Sequence, residues 1–201
     1  MACTAKHFPG DGVEELDQHL ALGVNNLPVE EWEASYGKIY RTLIDEGLET
    51  VMVGHIALPE MSRKLRPGIK DSEIMPATLA PELLTGLLRE SMGFNGVIIT
   101  DASHMVGMTA MSKRCDAVPG AIIAGCDMFL FANDIEEDIG FMKAAYDKGL
   151  LTEERLSDAL HRVLGLKAHL KLYDEAIRCP EEENLKVIGC EEHQDFTVQA
   201  A

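Results

Sequence analysis

The run Lys6-His7-Phe8-Pro9-Gly10-Asp11-Gly12, followed closely by Asp17-Gln18-His19, gathers titratable side chains on a turn-forming Pro-Gly and Gly background. Charge this dense does not build a core, because a buried charge without a partner is too costly. It reads as a loop that presents chemistry. In Asp17 and His19 a carboxylate can orient an imidazole and raise its basicity, so that the ring exchanges protons near neutral pH. The same spacing also fits a loop held by local side-chain hydrogen bonds. A metal site built from His7, Asp17 and His19 lacks a fourth ligand at a recognised spacing. Lys6 and His7 offer donors for sugar hydroxyls or a phosphate, and Gly10 and Gly12 let the main chain approach a ligand. Their spacing fits neither a Walker loop nor a dinucleotide fingerprint.

Asp101 is the other prominent carboxylate. It ends the apolar run Val97-Ile98-Ile99-Thr100, where a rigid strand can aim it. It can attack an electrophilic carbon as a nucleophile, or it can cap the next helix or pair with Lys6. His55, near the end of the run 50–56, either lines a pocket or is a satisfied strand-end histidine. His104 and Met105 follow Asp101 closely enough to line the same pocket, whereas Met108 and Met111 read as packing residues. His161 and His169 fall on a long helical pattern and read as surface or packing positions.

The elements that must hold these residues alternate between two periods. Residues 50–56, 96–100 and 128–131 are short apolar runs, and residues 2–8 end a fourth. Near-continuous apolar strands of this kind are buried on both faces of a parallel sheet. Helical patterns occupy 29–46, 81–92, 119–125, 135–148 and 152–171, with Gly47, Gly93 and Gly149 as stops and Thr152 as an N-cap. This order demands crossover connections and an α/β fold. Each strand ends in a polar or small residue, which puts Lys6, His7, His55 and Asp101 on the ligand-binding face of parallel strands.

Composition narrows the function. The 201-residue chain is long enough for one sizeable domain, with 46% hydrophobic residues. A net charge of −16 argues against nucleic acid and against anionic lipid. The 5 cysteines are widely spaced without a CxxC pair, which disfavours a disulfide framework or structural zinc. A reducing, cytoplasmic compartment is the expectation. No apolar run has the length of a transmembrane helix, and no basic-then-apolar leader pattern is visible.

Several blocks occur in order: Lys6-His7-Phe8-Pro9-Gly10 with Asp17-x-His19, Met52-Val53-Gly54-His55-Ile56, Pro76-Ala77-Thr78-Leu79, Gly93-Phe94-Asn95-Gly96 running into Val97–Thr100 and Asp101, and Ala124-Gly125-Cys126-Asp127. Together they resemble glycoside hydrolase family 3, and within it the bacterial β-N-acetylhexosaminidase group, over residues 6–173. The resemblance implies a (β/α)8 TIM-barrel type of catalytic domain that retains anomeric configuration and uses no cofactor. Asp101 then matches the nucleophile, and His19, oriented by Asp17, matches a general acid/base that replaces the usual second carboxylate. Lys6 and His7 match residues that hold hydroxyls of the sugar being cleaved. The family motif commonly has a second histidine where Asp11 stands.

Only about four βα units are present, against the eight of a closed barrel. The expectation is therefore the C-terminal half of the barrel over residues 1–173, followed by a polar linker over 174–201 toward a second α/β domain. Half a barrel exposes strand edges and apolar interior, which predicts aggregation, self-association or pairing with a complementary half-barrel. The function expected is cleavage of terminal β-linked N-acetylglucosamine from oligosaccharides or glycosides. The alternatives are a β-glucosidase or β-xylosidase, a glycoside phosphorylase, or an inactive fragment that works as a partner-dependent interaction half-domain.

Overall fold

The computed structural model describes residues 1–173 and 182–200. The chain divides into two units, Met1–Leu170 and Lys171–Ala201. The first unit opens with β1 (Thr4–Phe8), a short β2 (Gly23–Val24) and a helical stretch of α1 (Val29–Trp32), a π-helical segment (Glu33–Gly37) and α2 (Lys38–Asp45). Next come β3 (Thr50–Val53), β4 (Ile56–Ala57), α3 (Pro59–Leu65), a ten-residue π-helical segment (Glu82–Ser91) and β5 (Val97–Thr100). Four helices complete it: α4 (Val106–Thr109), α5 (Arg114–Ala124), α6 (Ile135–Asp147) and α7 (Glu153–His169). The second unit holds α8 (Glu182–Leu185) and α9 (Glu191–Ala200).

Strands β1, β3 and β5 form one parallel sheet in that order, with Thr4 opposite Thr50 and Thr50 opposite Val97. At the far end Phe8 lies opposite Val53, and Val53 opposite Thr100, so all three strands stop together. The next residues continue the ladder: Gly54 N–H donates to the Phe8 carbonyl at 2.8 Å and Asp101 N–H to the Val53 carbonyl at 3.0 Å. Parallel pairing places all three carboxyl ends on one edge, where ligands of open α/β sheets gather.

One face of the sheet is packed by helices. Phe8, Val51, Val53 and Ile98 are fully buried against Leu83, Leu84, Leu87, Leu88 and Trp32. Phe8 meets Trp32 and Tyr40 edge-on, with centroids at 6.3 Å and 5.1 Å. Side chains alternate along a strand, so Met52 and Ile99, register partners, sit on the opposite face and are only partly buried. The expectation of burial on both faces is therefore met fully on one and in part on the other, where Thr50 and Val97 are buried.

Other differences from the sequence reading have local causes. Residues 50–56 do not form one strand; the chain turns at Gly54-His55, and β4 leaves to pair with β2 in a second parallel sheet. Residues 128–131 make a single bridge, Met128 with Ile99, instead of a strand. There the Thr100 hydroxyl takes the Leu130 N–H at 2.8 Å and interrupts main-chain pairing. Helix α5 begins at Arg114, with Pro119 inside it, where a start at Pro119 was expected. The expected stops hold, with Gly47, Gly93 and Gly149 at positive φ, and Thr152 Oγ1 accepts the Arg155 N–H at 3.2 Å as the N-cap of α7. The linker expected over 174–201 falls partly outside the described residues; within them, residues 191–200 are helical.

Candidate active site

The turn after β1 is the foundation of the site. Gly10 has φ +118, a region that glycine alone adopts freely, and a Cβ there would stand 2.3 Å from the Tyr36 ring. Two buried donors hold the turn's carbonyls: Trp32 Nε1–H donates to Pro9 at 2.8 Å and Asn25 Nδ2–H to Gly10 at 2.9 Å. With no free choice of conformation, the turn sets the direction of His7 and Asp11.

His7 lies between two carboxylates. Its Nδ1 is 3.0 Å from Asp11 Oδ2 and its Nε2 is 3.5 Å from Asp101 Oδ2. Both His7 and Asp101 are mostly buried yet retain access, with side-chain exposures of 22% and 15%. The other Asp101 oxygen, Oδ1, accepts the Ala102 N–H at 2.7 Å. Of the alternatives open for Asp101, the pairing with Lys6 does not occur; Lys6 is exposed, and its neighbour His7 makes the contact.

Asp17 and His19 form the expected pair. Asp17 Oδ1 is 2.7 Å from His19 Nδ1 and accepts the His19 main-chain N–H at 2.9 Å. Those bonds, the main-chain one foremost, hold the Asp17 carboxyl below the ordinary aspartate range. Both side chains are well exposed. The loop that bears them is tied to the segment after Asp101, because Val106 N–H donates to the His19 carbonyl at 3.3 Å and Gly107 N–H to the Gln18 carbonyl at 3.2 Å. The carboxylates against His7 are thus Asp11 and Asp101, while Asp17 serves His19.

His55 is corrected from a sugar-binding residue to an internal one. It is fully buried, its Nε2 lies 3.1 Å from the Ala102 carbonyl and its Nδ1 2.9 Å from Thr78 Oγ1. A carbonyl only accepts, so in the neutral ring Nε2 carries the proton and Nδ1 faces the Thr78 hydroxyl. Burial pulls this imidazole below the ordinary histidine range. No ring nitrogen is left for a ligand, and His55 instead braces the residue after Asp101.

Sequence reasoning passed over two residues that belong to the site, Asp11 and Gln18. A His-to-Asp spacing of four across a Pro-Gly turn was the available signal for Asp11. Gln18 carried none, because its Nε2 reaches Asp11 Oδ2, at 3.3 Å, only through the loop's path. Further out, Ser103 Oγ donates to the Phe131 carbonyl at 2.5 Å, and Arg114 donates to the Ser103 carbonyl at 3.0 Å and to Asp138 at 2.6 Å, bracing the loop that follows Asp101. A cavity of about 850 Å³ lies elsewhere: Glu49 and Val97 place it at the amino ends of the strands. Among the described residues no cluster of three His, Cys, Asp or Glu side chains is placed to hold a metal ion.

A parallel sheet whose carboxyl edge carries a strand-tip aspartate, a clamped histidine and an Asp–His loop defines an α/β domain of the kind that builds its site outside strand ends. The chain belongs to glycosyl hydrolase family 3: that family's N-terminal domain matches residues 1–166. Among curated relatives it is 52% identical, over 173 residues, to a β-N-acetylglucosaminidase/β-glucosidase of Cellulomonas fimi, covering 86% of this chain and 31% of the relative. A β-hexosaminidase of Methylobacillus flagellatus is 32% identical over 66% of this chain and 35% of its own length. Among solved structures, the β-glucoside phosphorylase BglX bound to 2FGlc superposes with TM-score 0.94 at 43% identity, over 98% of this chain and 35% of its own. A family 3 β-N-acetylglucosaminidase from Paenibacillus sp. FPU-7 follows with TM-score 0.79 and 28% identity, covering 90% of this chain and 33% of its own. The chain thus spans about a third of the length of these relatives.

Proposed function

We propose that this chain supplies the carboxyl half of a (β/α)8 barrel that cleaves terminal β-linked N-acetylglucosamine with retention. The observation that supports the reading is the main-chain tie between the loop bearing the Asp17–His19 pair and the segment that follows Asp101. In the first step an Asp101 oxygen attacks the anomeric carbon as the glycosidic C–O bond breaks. The leaving oxygen takes a proton from the protonated His19 ring. In the second, neutral His19 takes a proton from water, whose oxygen attacks the anomeric carbon and releases Asp101 as carboxylate. Lys6 and His7 hold hydroxyls of the same sugar.

A second reading replaces water by phosphate. It is favoured by the 43% identity and TM-score of 0.94 to the β-glucoside phosphorylase BglX. A neutral imidazole does not repel an incoming anion as a second carboxylate does. Phosphate-dependent release of sugar 1-phosphate distinguishes the two.

The test of the main reading is turnover of an aryl β-N-acetylglucosaminide, with the matching glucoside in parallel, by a polypeptide that contains this chain and a complete barrel. Asp101→Ala is expected to abolish turnover, and a fluorosugar trap is expected to leave a covalent adduct on Asp101. An adduct on another residue, or turnover that survives Asp101→Ala, defeats the nucleophile assignment. The chain assayed alone decides whether the half-barrel is active without a partner.

A further inference from the structure

We infer that Asp11 is a positioning residue: it fixes the ring of His7 against Asp101 and, through Gln18, anchors the Asp17–His19 loop to the same oxygen. In its kinetic consequences the inference rests on the proposed function; in its structural ones it does not. Asp11 Oδ2 is the shared atom, with His7 Nδ1 at 3.0 Å and Gln18 Nε2 at 3.3 Å. An ionised carboxylate only accepts, so both neighbours must present N–H groups to it. This decides the Gln18 amide orientation, since the flipped amide would set oxygen against oxygen. It also puts a proton on Nδ1 of His7; Nε2 stands 3.5 Å from Asp101 Oδ2 and makes no hydrogen bond to it.

Gln18 sits between Asp17 and His19 in the chain, so its side chain and main chain pull the loop toward two anchors. The main chain is held by Gly107 and Val106, beyond Asp101; the side chain is held by Asp11. The Gln18 Oε1 atom is buried and unpartnered, which leaves Nε2 to carry the side chain's attachment. The packing beneath agrees. Tyr36 crowds any Cβ at Gly10 and, through its hydroxyl, at Gly12, so Asp11 is flanked by two positions where a side chain would clash. Burial, and next the Asp11 charge, push the Tyr40 hydroxyl above its ordinary range.

The experiment is ring-nitrogen and side-chain-amide NMR on the uniformly 15N-labelled chain, wild type against Asp11→Ala and Asp11→Asn. Wild-type His7 is expected to show a protonated, pyrrole-type Nδ1. Asp11→Ala is expected to move that proton toward Nε2 and to shift the Gln18 side-chain amide. Asp11→Asn retains an acceptor oxygen of the same reach and is expected to hold Nδ1 protonated. A pyridine-type Nδ1 in the wild type overturns the inference without any variant, as does a ring pattern that Asp11→Ala leaves unchanged. In the glycosidase assay Asp11→Ala is expected to lower kcat on the order of 100-fold with KM little changed, the signature of misplaced reacting groups, and Asp11→Asn to restore most of it. If the wild type turns over no glycoside, the proposed function fails while the NMR comparison still decides the role of Asp11.

Discussion

Asp17 Oδ1 accepts twice from His19, once from the main-chain N–H at 2.9 Å and once from ring Nδ1 at 2.7 Å. The double contact makes the imidazole's orientation a property of two adjacent peptide units, so it holds even on an exposed loop. Because the carboxylate occupies Nδ1, Nε2 is the atom that exchanges protons. His19→Ala is expected to slow glycoside cleavage by about 10²- to 10⁴-fold. The loss should shrink for a dinitrophenyl leaving group, whose oxygen departs without a proton. Equal losses for both leaving groups would remove His19 from the proton-transfer role.

The buried His55 ties stability to pH. Burial lowers its folded-state affinity for protons, so the unfolded chain binds more protons as pH falls through the ordinary histidine range. Stability is therefore expected to fall on acidification from about pH 7.5 to 5.5, with this group contributing no penalty above that range. Urea midpoints at both pH values, compared with His55→Gln, check it. The variant should be less stable at pH 7.5 by about 1–3 kcal/mol, since it leaves buried partners unmatched, and should show a flatter pH slope.

Asp127 is the electrostatic centre of the lower core. Its buried carboxylate is paired with Arg89 and with Arg155 at 2.5 Å, while Arg162 stands 3.6 Å away and the Ile98 N–H donates at 2.9 Å. Removing one member of a buried charge network leaves the others uncompensated. Asp127→Ala is expected to cost about 3–5 kcal/mol and to lower the melting temperature by roughly 10 °C. An unchanged melt would mean that the guanidinium groups find other partners.

One edge of β1 has no strand partner among the described residues, and Met52 and Ile99 on the second face of the sheet are only partly buried. Unpaired edges and apolar faces recruit other chains. The chain alone is expected to sediment above the 22.1 kDa of a monomer at micromolar concentration. A single monomeric species at every concentration, with one sharp melt, would contradict this.

Much of this was legible from residue order. The apolar runs 50–56 and 96–100 between helical periods predicted parallel β3 and β5, the first overrunning its strand, and Asp101 was rightly placed at the carboxyl edge. Gly47, Gly93 and Gly149 marked real helix ends because a positive φ is a local requirement that a residue type answers by itself. Residues 128–131 misled because a strand needs partners as well as propensity, and the Thr100 hydroxyl takes one of the hydrogen bonds.

Residue types and their spacing determined the α/β order, the family, and the placing of Lys6, His7, Asp17, His19 and Asp101 at strand tips or the loops beyond them. Tertiary structure alone decided that His55 turns inward, that His7 rather than Lys6 meets Asp101, and that Asp11 and Gln18 join the two loops. The division follows from range. Periodicity and turn chemistry act over a few neighbours, whereas which nitrogen faces which carboxylate depends on a ladder register joining positions more than forty residues apart.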